Sequence, residues 1–589
     1  KDNKKRRAMR SVIKIIWKMD PTRMILAVAV AVVTGIVPFF YVTAYAHFIG
    51  SAESFLGQQG MGTFLSILIQ FLVFGLFNFL GQTVLNYLCQ EIQITLQAGI
   101  SREVLQKVNR LPYAMLEQKE QQDNIYRMLH SASGEMSAGL MALFMLLRLV
   151  INVISVFLML VQFSLWVGFV LILAFIPMVL AAVKNGEEDY SAFVEVEKAE
   201  RWMQYFQSML LQKKYAAELR MYDCAGFFRE KWKNEYENMS GSFLRTKRKM
   251  YFRVKKNSLF FQIPIFALLF YMGYLAQSQQ LDGEYFSALV SQILLIGSSL
   301  SWSLVSVLSA LQRCRLSMKA YDGFMAEREE RQEEGEKLRE PIREIRFEDV
   351  SFHYPQCEEQ VLSHMSFTMN AGKKYALVGE NGAGKSTVIK LILGLYHDYD
   401  GNIYINGVER RRISNLYEQV AVVFQDFAQY ELTLEENLTL GNSCEEKRKH
   451  LDRWMRMLWQ EEEIHRVFPK GYETELGYLG ETGKDLSGGQ WQRIALVRAL
   501  LRKGNFYILD EPTAALDPMA EAELYQNFQR MMEHHGGIII THRLGAAKLS
   551  DEILLIDHGS IKEQGTHEEL MQDQGLYFAM FQAQGGLYQ

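Results

Sequence analysis

Charge disappears from five long windows in the first half of the chain. Residues 24–46, 61–90, 257–281 and 285–312 contain no Asp, Glu, Lys or Arg, and residues 136–183 contain only Arg148. A membrane span takes about 20 consecutive apolar residues. The 136–183 window is long enough for two spans, with a turn at 162–164. The pattern therefore predicts six transmembrane helices, at about 24–50, 61–90, 136–161, 164–183, 257–281 and 285–312. A buried helix of a soluble protein rarely runs beyond about 14 uninterrupted apolar positions, which argues against a soluble core. The stretches between the windows are asymmetric. Residues 1–10 hold six basic side chains, whereas 51–60 and 277–284 hold none. The long connections, 91–135 and 184–256, are charged, and the second ends in Arg245, Lys247, Arg248, Lys249, Arg253, Lys255 and Lys256. Positive residues stay on the cytoplasmic face. Both termini and both long connections are thus expected in the cytosol, with the spans in the plasma membrane. The helices should continue well beyond the bilayer and turn near 117–126 and 220–228.

After residue 312 the pattern changes. A run of Glu, Arg, Gln and Lys at 326–339 reads as a linker, closed by Pro341. The expected division is a transmembrane domain at 1–325, a linker at 326–341 and a second domain at 342–589. Ile342, Ile345, Phe347, Val350, Phe352 and Tyr354 have strand-like alternation. The apolar run 375–378 leads into Gly379, Asn381, Gly382, Gly384, Lys385, Ser386 and Thr387, followed by an apolar helix at 388–395. This is the phosphate-loop pattern in its required context of strand, loop and helix. Backbone amides and the helix start attract phosphate, Lys385 supplies a mobile positive charge, and Ser386 supplies a hydroxyl for magnesium. A second apolar run, 506–510, ends at Asp510 with Glu511 directly after it. An Asp there can hold magnesium through water, and the neighbouring Glu can polarise an attacking water. Ser487, Gly488, Gly489 and Gln490 form a further motif for which a kinase or GTPase has no use.

Composition narrows the reading a little. With 63 Lys and Arg against 67 Asp and Glu the net charge is −4, so no global basic field points to nucleic acid. At 49% hydrophobic the chain is not disordered. Cys89, Cys224, Cys314, Cys357 and Cys444 show no CxxC spacing, which leaves ordinary reduced thiols rather than disulfides or zinc.

On these motifs, residues 345–570 resemble the ATP-binding domain of an ABC transporter. With the six spans, the whole chain resembles an exporter-type half transporter. The resemblance implies an α-helical membrane domain of six transmembrane helices with long cytosolic extensions, fused to an α/β P-loop ATPase domain. It implies ATP and Mg2+ as ligands and a dimer in which each ATP lies between one chain's phosphate loop and the other's Ser487, Gly488 and Gly489. Tyr354 matches the adenine-stacking aromatic and Gln425 the glutamine that senses magnesium. Glu481 matches the segment touching the transmembrane domain, Asp517 the loop joining the two sites, and His542 the γ-phosphate contact. The stretch around Gly477, Gly480 and Glu481 is slightly longer than the family's usual form. Glu511 and the signature are both intact, so a homodimer is favoured over a heterodimer with one spoiled site.

The cargo is less legible. Asn78, Gln82 and Asn86 recur at four-residue spacing and place three amides on one helix face, and Ser299, Ser303 and Ser306 make a similar stripe. Both readings stay open: hydrogen-bonded helix packing or a cavity lining. Arg148, alone in its window, favours a cavity. The expected function is ATP-driven export by alternating access, with a peptide as cargo, or else a lipid or amphipathic small molecule. Only some 23 residues precede the first span, so any leader on a peptide cargo is expected to be absent or removed elsewhere. The alternative is an ABC-type ATP-gated channel or regulator. Besides the bilayer and the cargo, the expected partner is a second half transporter; nucleic acid is not expected.

Overall fold

The computed structural model describes residues 20–56, 61–161, 199–278, 282–329, 335–355, 357–440, 445–478, 482–502, 504–512 and 535–585, with positions 176, 196, 480, 525 and 526 between them. It divides into two compact units. The first comprises Lys1–Asn109 and Glu120–Glu327, the second Arg110–Lys119 and Arg328–Gln589.

The first unit is helical. Its long members are α1 (Pro21–Leu56), α2 (Met61–Val108), α3 (Ser133–Val161), α4 (Ala225–Gln277) and α5 (Gly283–Met325). Among the described residues, α1, α2 and α3 contain stretches long and apolar enough to cross a membrane. The fourth expected span, 164–183, lies outside the described residues apart from Ile176. At 48 residues α2 is about 70 Å long, against a hydrocarbon core of about 30 Å, so much of it projects beyond the bilayer. Its Leu65, Ile69, Leu72, Leu76 and Phe79 are all exposed. Apolar surface of that extent is at home in lipid and not in water. Val42, Val156, Met159, Ile265, Leu268, Met272, Leu289 and Ile293 pack together at the centre of the unit. The first expected turn comes earlier than 117–126. Pro112 has no N–H and restricts Leu111, so the helix stops at Val108 and the chain reverses over 109–118 through the one-turn helix Tyr113–Leu116. The second turn falls at 222–224, before α4.

The second unit holds two sheets. β1 (Glu344–His353), β2 (Gln360–Asn370), β4 (Asp400–Ile405) and β5 (Val408–Glu409) form an antiparallel sheet in the order β2-β1-β4-β5. The other sheet runs β10-β9-β3-β8-β7-β6, from β3 (Lys374–Val378), β6 (Val420–Val423), β7 (Phe506–Asp510), β8 (Gly536–Ile540), β9 (Glu552–Asp557) and β10 (Ser560–Gly565). All of its neighbours are parallel except β10. The apolar spacing in β1 breaks step at Phe347 and Val350 because the strand bulges there, with Asp349 at φ 51°. The bulge returns Val350 to the core side, and Phe347 and Val350 are both fully buried. Helix α6 (Lys385–Leu393) buries Val388, Ile389, Leu391 and Ile392 against this core. A helical lobe around Leu451, Met455, Trp459, Phe468 and Ile494 carries α7 (Gly488–Leu500). The chain's last described helix is α8 (Leu576–Gly585).

Candidate nucleotide site

Four parallel strands end side by side in the order β3-β8-β7-β6. The phosphate loop follows β3, His542 follows β8, Asp510 ends β7 with Glu511 after it, and Gln425 stands two residues beyond β6. Strands about 4.8 Å apart bring these four chain ends within roughly 15 Å of one another. The carboxyl edge of a parallel sheet is where open α/β folds bind ligands.

The loop itself needs glycine. Gly379 has φ 152° and Gly384 φ 104°. A Cβ at Gly379 would lie 2.1 Å from the Ile556 carbonyl oxygen, and one at Gly384 2.5 Å from Leu362 Cδ2. Asn381 and Gly382 are exposed at the loop's tip. Lys385 opens α6 and is buried, its Nζ donating to the carbonyls of Gly379 (2.9 Å) and Glu380 (2.7 Å). Burial lowers its pKa, and the charges of Glu511 and Asp510 pull it partly back. A cation desolvated in this way is a receptor for an anion.

The opposite side of the edge is acidic. The Glu511 backbone is left-handed (φ 49°), with its N–H donating to the Ile540 carbonyl at 3.1 Å. Its Oε1 lies 2.6 Å from His542 Nε2, and its Oε2 accepts from Gln425 Nε2 at 2.9 Å. The three side chains expected to be catalytic are therefore in direct contact. Asp510 is buried, and burial raises its carboxyl pKa although the Ser386 hydroxyl donates to it. Its Oδ1 is buried with no hydrogen-bond partner. A buried, unpartnered carboxylate oxygen beside a hydroxyl fits a hard divalent cation, which takes oxygen ligands.

Beside the first turn of α6, Tyr354 donates to or accepts from Thr387 Oγ1 at 2.9 Å. Its ring meets Phe352 and Tyr396 edge-on and lies under Lys390 Nζ, 5.2 Å from the ring centre. The second unit includes residues 110–119, and they reach this cluster. Tyr113 packs edge-on against Tyr396, the Tyr396 hydroxyl donates to Glu117 Oε2, and Lys390 Nζ is 4.0 Å from Glu117 Oε1. Sequence reading missed Glu117, Lys390 and Tyr396. Glu117 and Tyr396 are 279 positions apart and neither lies in a motif.

Ser487 caps α7 in a reciprocal pair with Gln490: its Oγ accepts from the Gln490 N–H at 3.3 Å, and its own N–H donates to Gln490 Oε1 at 3.0 Å. Ser487 and Gly488 are exposed and Gly489 is half-buried. Asp517 and Glu481 lie outside the described residues. In the longer stretch, the Gly477 N–H donates to the Lys484 carbonyl and the Tyr478 hydroxyl to Asp485 Oδ2 at 2.7 Å.

In the first unit, Gln82 Nε2 is 3.4 Å from Asn86 Oδ1, so this pair of α2 amides shares a face. Asn78 Oδ1 and Gln82 Oε1 are buried without hydrogen bonds. Arg148 is half-buried on α3 and forms no ion pair among the described residues. A Cβ at Gly81 would lie 2.4 Å from Thr34 Cγ2, and one at Gly35 2.9 Å from Ile151 Cβ and 3.3 Å from the Arg148 carbonyl oxygen. Those close approaches set α1, α2 and α3 in register, with Gln82 and Arg148 in one layer. Ser303 and Ser306 are exposed on α5; Ser299 is not among the side chains described.

Known proteins resemble this chain in sequence and in fold. The family described as ABC transporter matches residues 362–514. The chain is 28% identical to the subtilin transport ATP-binding protein SpaT of Bacillus subtilis, over 97% of this chain and 93% of that one. It is 24% identical to the nisin transport ATP-binding protein NisT of Lactococcus lactis subsp. lactis, over 95% and 93% respectively. A bacterial Atm1-family ABC exporter solved with ATP bound shares the fold with a TM-score of 0.77 at 21% identity, covering 95% of this chain and 98% of that one. The chain is an ABC transporter of the exporter type, a half transporter that fuses a helical membrane domain to an ATP-binding domain and couples ATP hydrolysis to export.

Proposed function

We propose that two copies of this chain form a homodimeric exporter of a peptide, with hydrolysis run from the edge where Glu511, His542 and Gln425 meet. The contact of Glu511 with both neighbours carries this reading. A carboxylate fixed at a strand end by two partners can orient a water for in-line attack, and positioning is most of what phosphoryl transfer asks of a protein. Lys385 and the amides of the 379–387 loop, Asn381, Gly382 and Thr387 among them, bind the phosphates of ATP, and Tyr354 supports the base. Ser386, Asp510 and Gln425 would hold Mg2+. When bound it supplies charge neutralisation at the phosphates.

A half transporter implies a dimer. The exposed Ser487 and Gly488 and the half-buried Gly489 and Gln490 at the start of α7 suit contact with the partner's nucleotide, and Asp517 would join the two sites. Basic residues 1–10 and 245–256 support a cytoplasmic position for both termini and the ATPase domain. The peptide cargo rests on the two full-length relatives, which are named for the transport of subtilin and of nisin. Arg148, Asn78, Gln82 and Asn86 would line its path. The test is reconstitution of the purified chain in proteoliposomes with amphipathic peptides, phospholipid analogues and small drugs. Peptide-stimulated ATPase with ATP-dependent peptide accumulation in the vesicles is the expected result. Stimulation by lipid alone overturns the cargo assignment, and ATPase with ion flux but no accumulation overturns the pump.

A further inference from the structure

The last helix reaches the nucleotide edge. Along α8, Tyr577, Met580, Phe581 and Gln584 follow the i, i+3, i+4, i+7 spacing of one helix face. Tyr577 is fully buried, and with Met580 and Phe581 it packs on Ala376, Val378, Leu544, Ala547 and Leu555. Glu563 fixes the helix start by accepting from the N–H groups of Leu576 (2.5 Å) and Tyr577 (3.0 Å). Gln584 is thus the polar end of an apolar docking face, delivered to one place by packing rather than by a flexible tail.

That place is the turn after β8. Gln584 Nε2 donates to the carbonyl oxygen of His542, and Gln584 Oε1 accepts from the N–H of Leu544 at 3.0 Å. One amide therefore bridges residues 542 and 544 as a neighbouring strand would. Within the turn, Thr541 Oγ1 accepts from the Arg543 N–H at 3.0 Å, and beyond it His542 Nε2 lies 2.6 Å from Glu511 Oε1. Gln584, Met580 and His542 also line a cavity of about 450 Å³ with Val378, Gly379, Glu380 and Asn381 of the phosphate loop. We propose that Gln584 is a positioning residue for ATP hydrolysis: it clamps the 542–544 turn and so holds the His542 imidazole against Glu511. The proposal rests on the assignment of Glu511 and His542 to hydrolysis. The clamp needs a donor and an acceptor on one planar group, which an amide has and a carboxylate lacks. Losing either bond frees the turn, and a small displacement of a positioned group is costly in rate.

The experiment compares Gln584→Ala, Gln584→Glu and His542→Ala in the full chain, reconstituted in lipid. It measures ATPase kinetics, ATP binding and amide hydrogen exchange at 541–547. Gln584→Glu keeps the shape and the acceptor facing Leu544 but cannot donate to His542, so it decides the matter if Gln584→Ala folds poorly. Both Gln584 variants are expected to lower kcat roughly tenfold with KM for ATP within about twofold, and Gln584→Ala, which also removes the acceptor, to speed exchange of the Leu544 amide roughly tenfold. In a His542→Ala background, the Gln584 substitutions should add no further loss. Wild-type kcat in Gln584→Glu, or losses that multiply in the double variant, would overturn the clamp and leave the role of His542 standing. Wild-type kcat in His542→Ala overturns the assignment on which the clamp rests.

Discussion

The nucleotide edge and the membrane helices treat their polar residues differently. At the sheet edge, the chain holds its own side chains. Lys385 has two carbonyl partners, Glu511 is fixed from both sides, and Tyr354 is packed and hydrogen-bonded. In the membrane helices several polar atoms are left open. Asn78 Oδ1, Gln82 Oε1 and Asn152 Oδ1 are buried without hydrogen bonds, and Arg148 has no ion pair among the described residues. The contrast holds even along one helix. Near the start of α3, Glu135 accepts from Arg313 at 2.8 Å, while Arg148 stands about 20 Å further on with nothing equivalent. Unpartnered polar groups in a low-dielectric setting are expensive. In the membrane helices such groups suit a partner that the single chain does not contain: a second copy, water or cargo. At the sheet edge the same signature marks Asp510 Oδ1, where the missing partner fits a cation.

The largest expected effect breaks the self-held site at its centre. Glu511→Gln keeps the shape and one hydrogen-bonding oxygen but removes the charge and the basicity. Steady-state ATPase should fall at least ~100-fold, the usual scale for a positioned base. ATP binding should persist, since Tyr354, Lys385 and Ser386 are untouched. Near-normal turnover would shift the assignment to His542.

A smaller effect separates packing from hydrogen bonding at the base end. Tyr396→Phe keeps the ring against Tyr113 and Tyr354 and deletes only the hydroxyl that Glu117 accepts. A hydrogen bond to a charged group is worth about 1.5 kcal/mol or more. Amide exchange at 113–118 should therefore quicken roughly tenfold, with β3 unchanged. Equal protection in both proteins would mean that packing alone holds the segment.

Mixing tests whether one chain suffices. With random pairing, an equal mixture of Lys385→Ala and unaltered chains leaves about one quarter of the dimers intact. Activity near one quarter means that one altered chain silences its dimer, so neither chain works alone, and activity near one half would show that the two sites turn over independently.

How much of this could be read in the sequence follows the same division. Phosphate-loop chemistry is local: Lys385 bonds to carbonyls five and six residues back, and Ser487 to a residue three ahead. Short-range rules of turn, cap and strand end therefore suffice to find it. Contacts closed by tertiary packing leave no such trace. Glu117 and Tyr396 are 279 residues apart, Gln584 and His542 are 42 apart, and nothing in the spacing of either pair announces the meeting. The bulge at Asp349 illustrates the intermediate case. Apolar positions at 345, 347, 350 and 352 announced a strand, and the broken step between 347 and 350 was the bulge itself.

The smallest expected effect bears on the open half of the comparison. Arg148 lies in a layer where α1, α2 and α3 approach closely, level with Gln82. If it faces the cargo, Arg148→Ala removes one charged contact in a partly hydrated setting. Such contacts are worth about 1 kcal/mol or less. Peptide-stimulated ATPase should then fall roughly twofold, in keeping with a screened contact, with basal turnover, yield and thermal midpoint unchanged. A structural role predicts the reverse order of events. Removing one partner of a buried ion pair destabilises by about 3–5 kcal/mol, so yield and midpoint would drop before any change in stimulation. Lysine at this position separates the two further, because it keeps the charge but loses the planar fork that a fixed carboxylate partner prefers. Recovery of stimulation by Arg148→Lys fits an adaptable cargo, and continued instability of that variant fits a fixed partner.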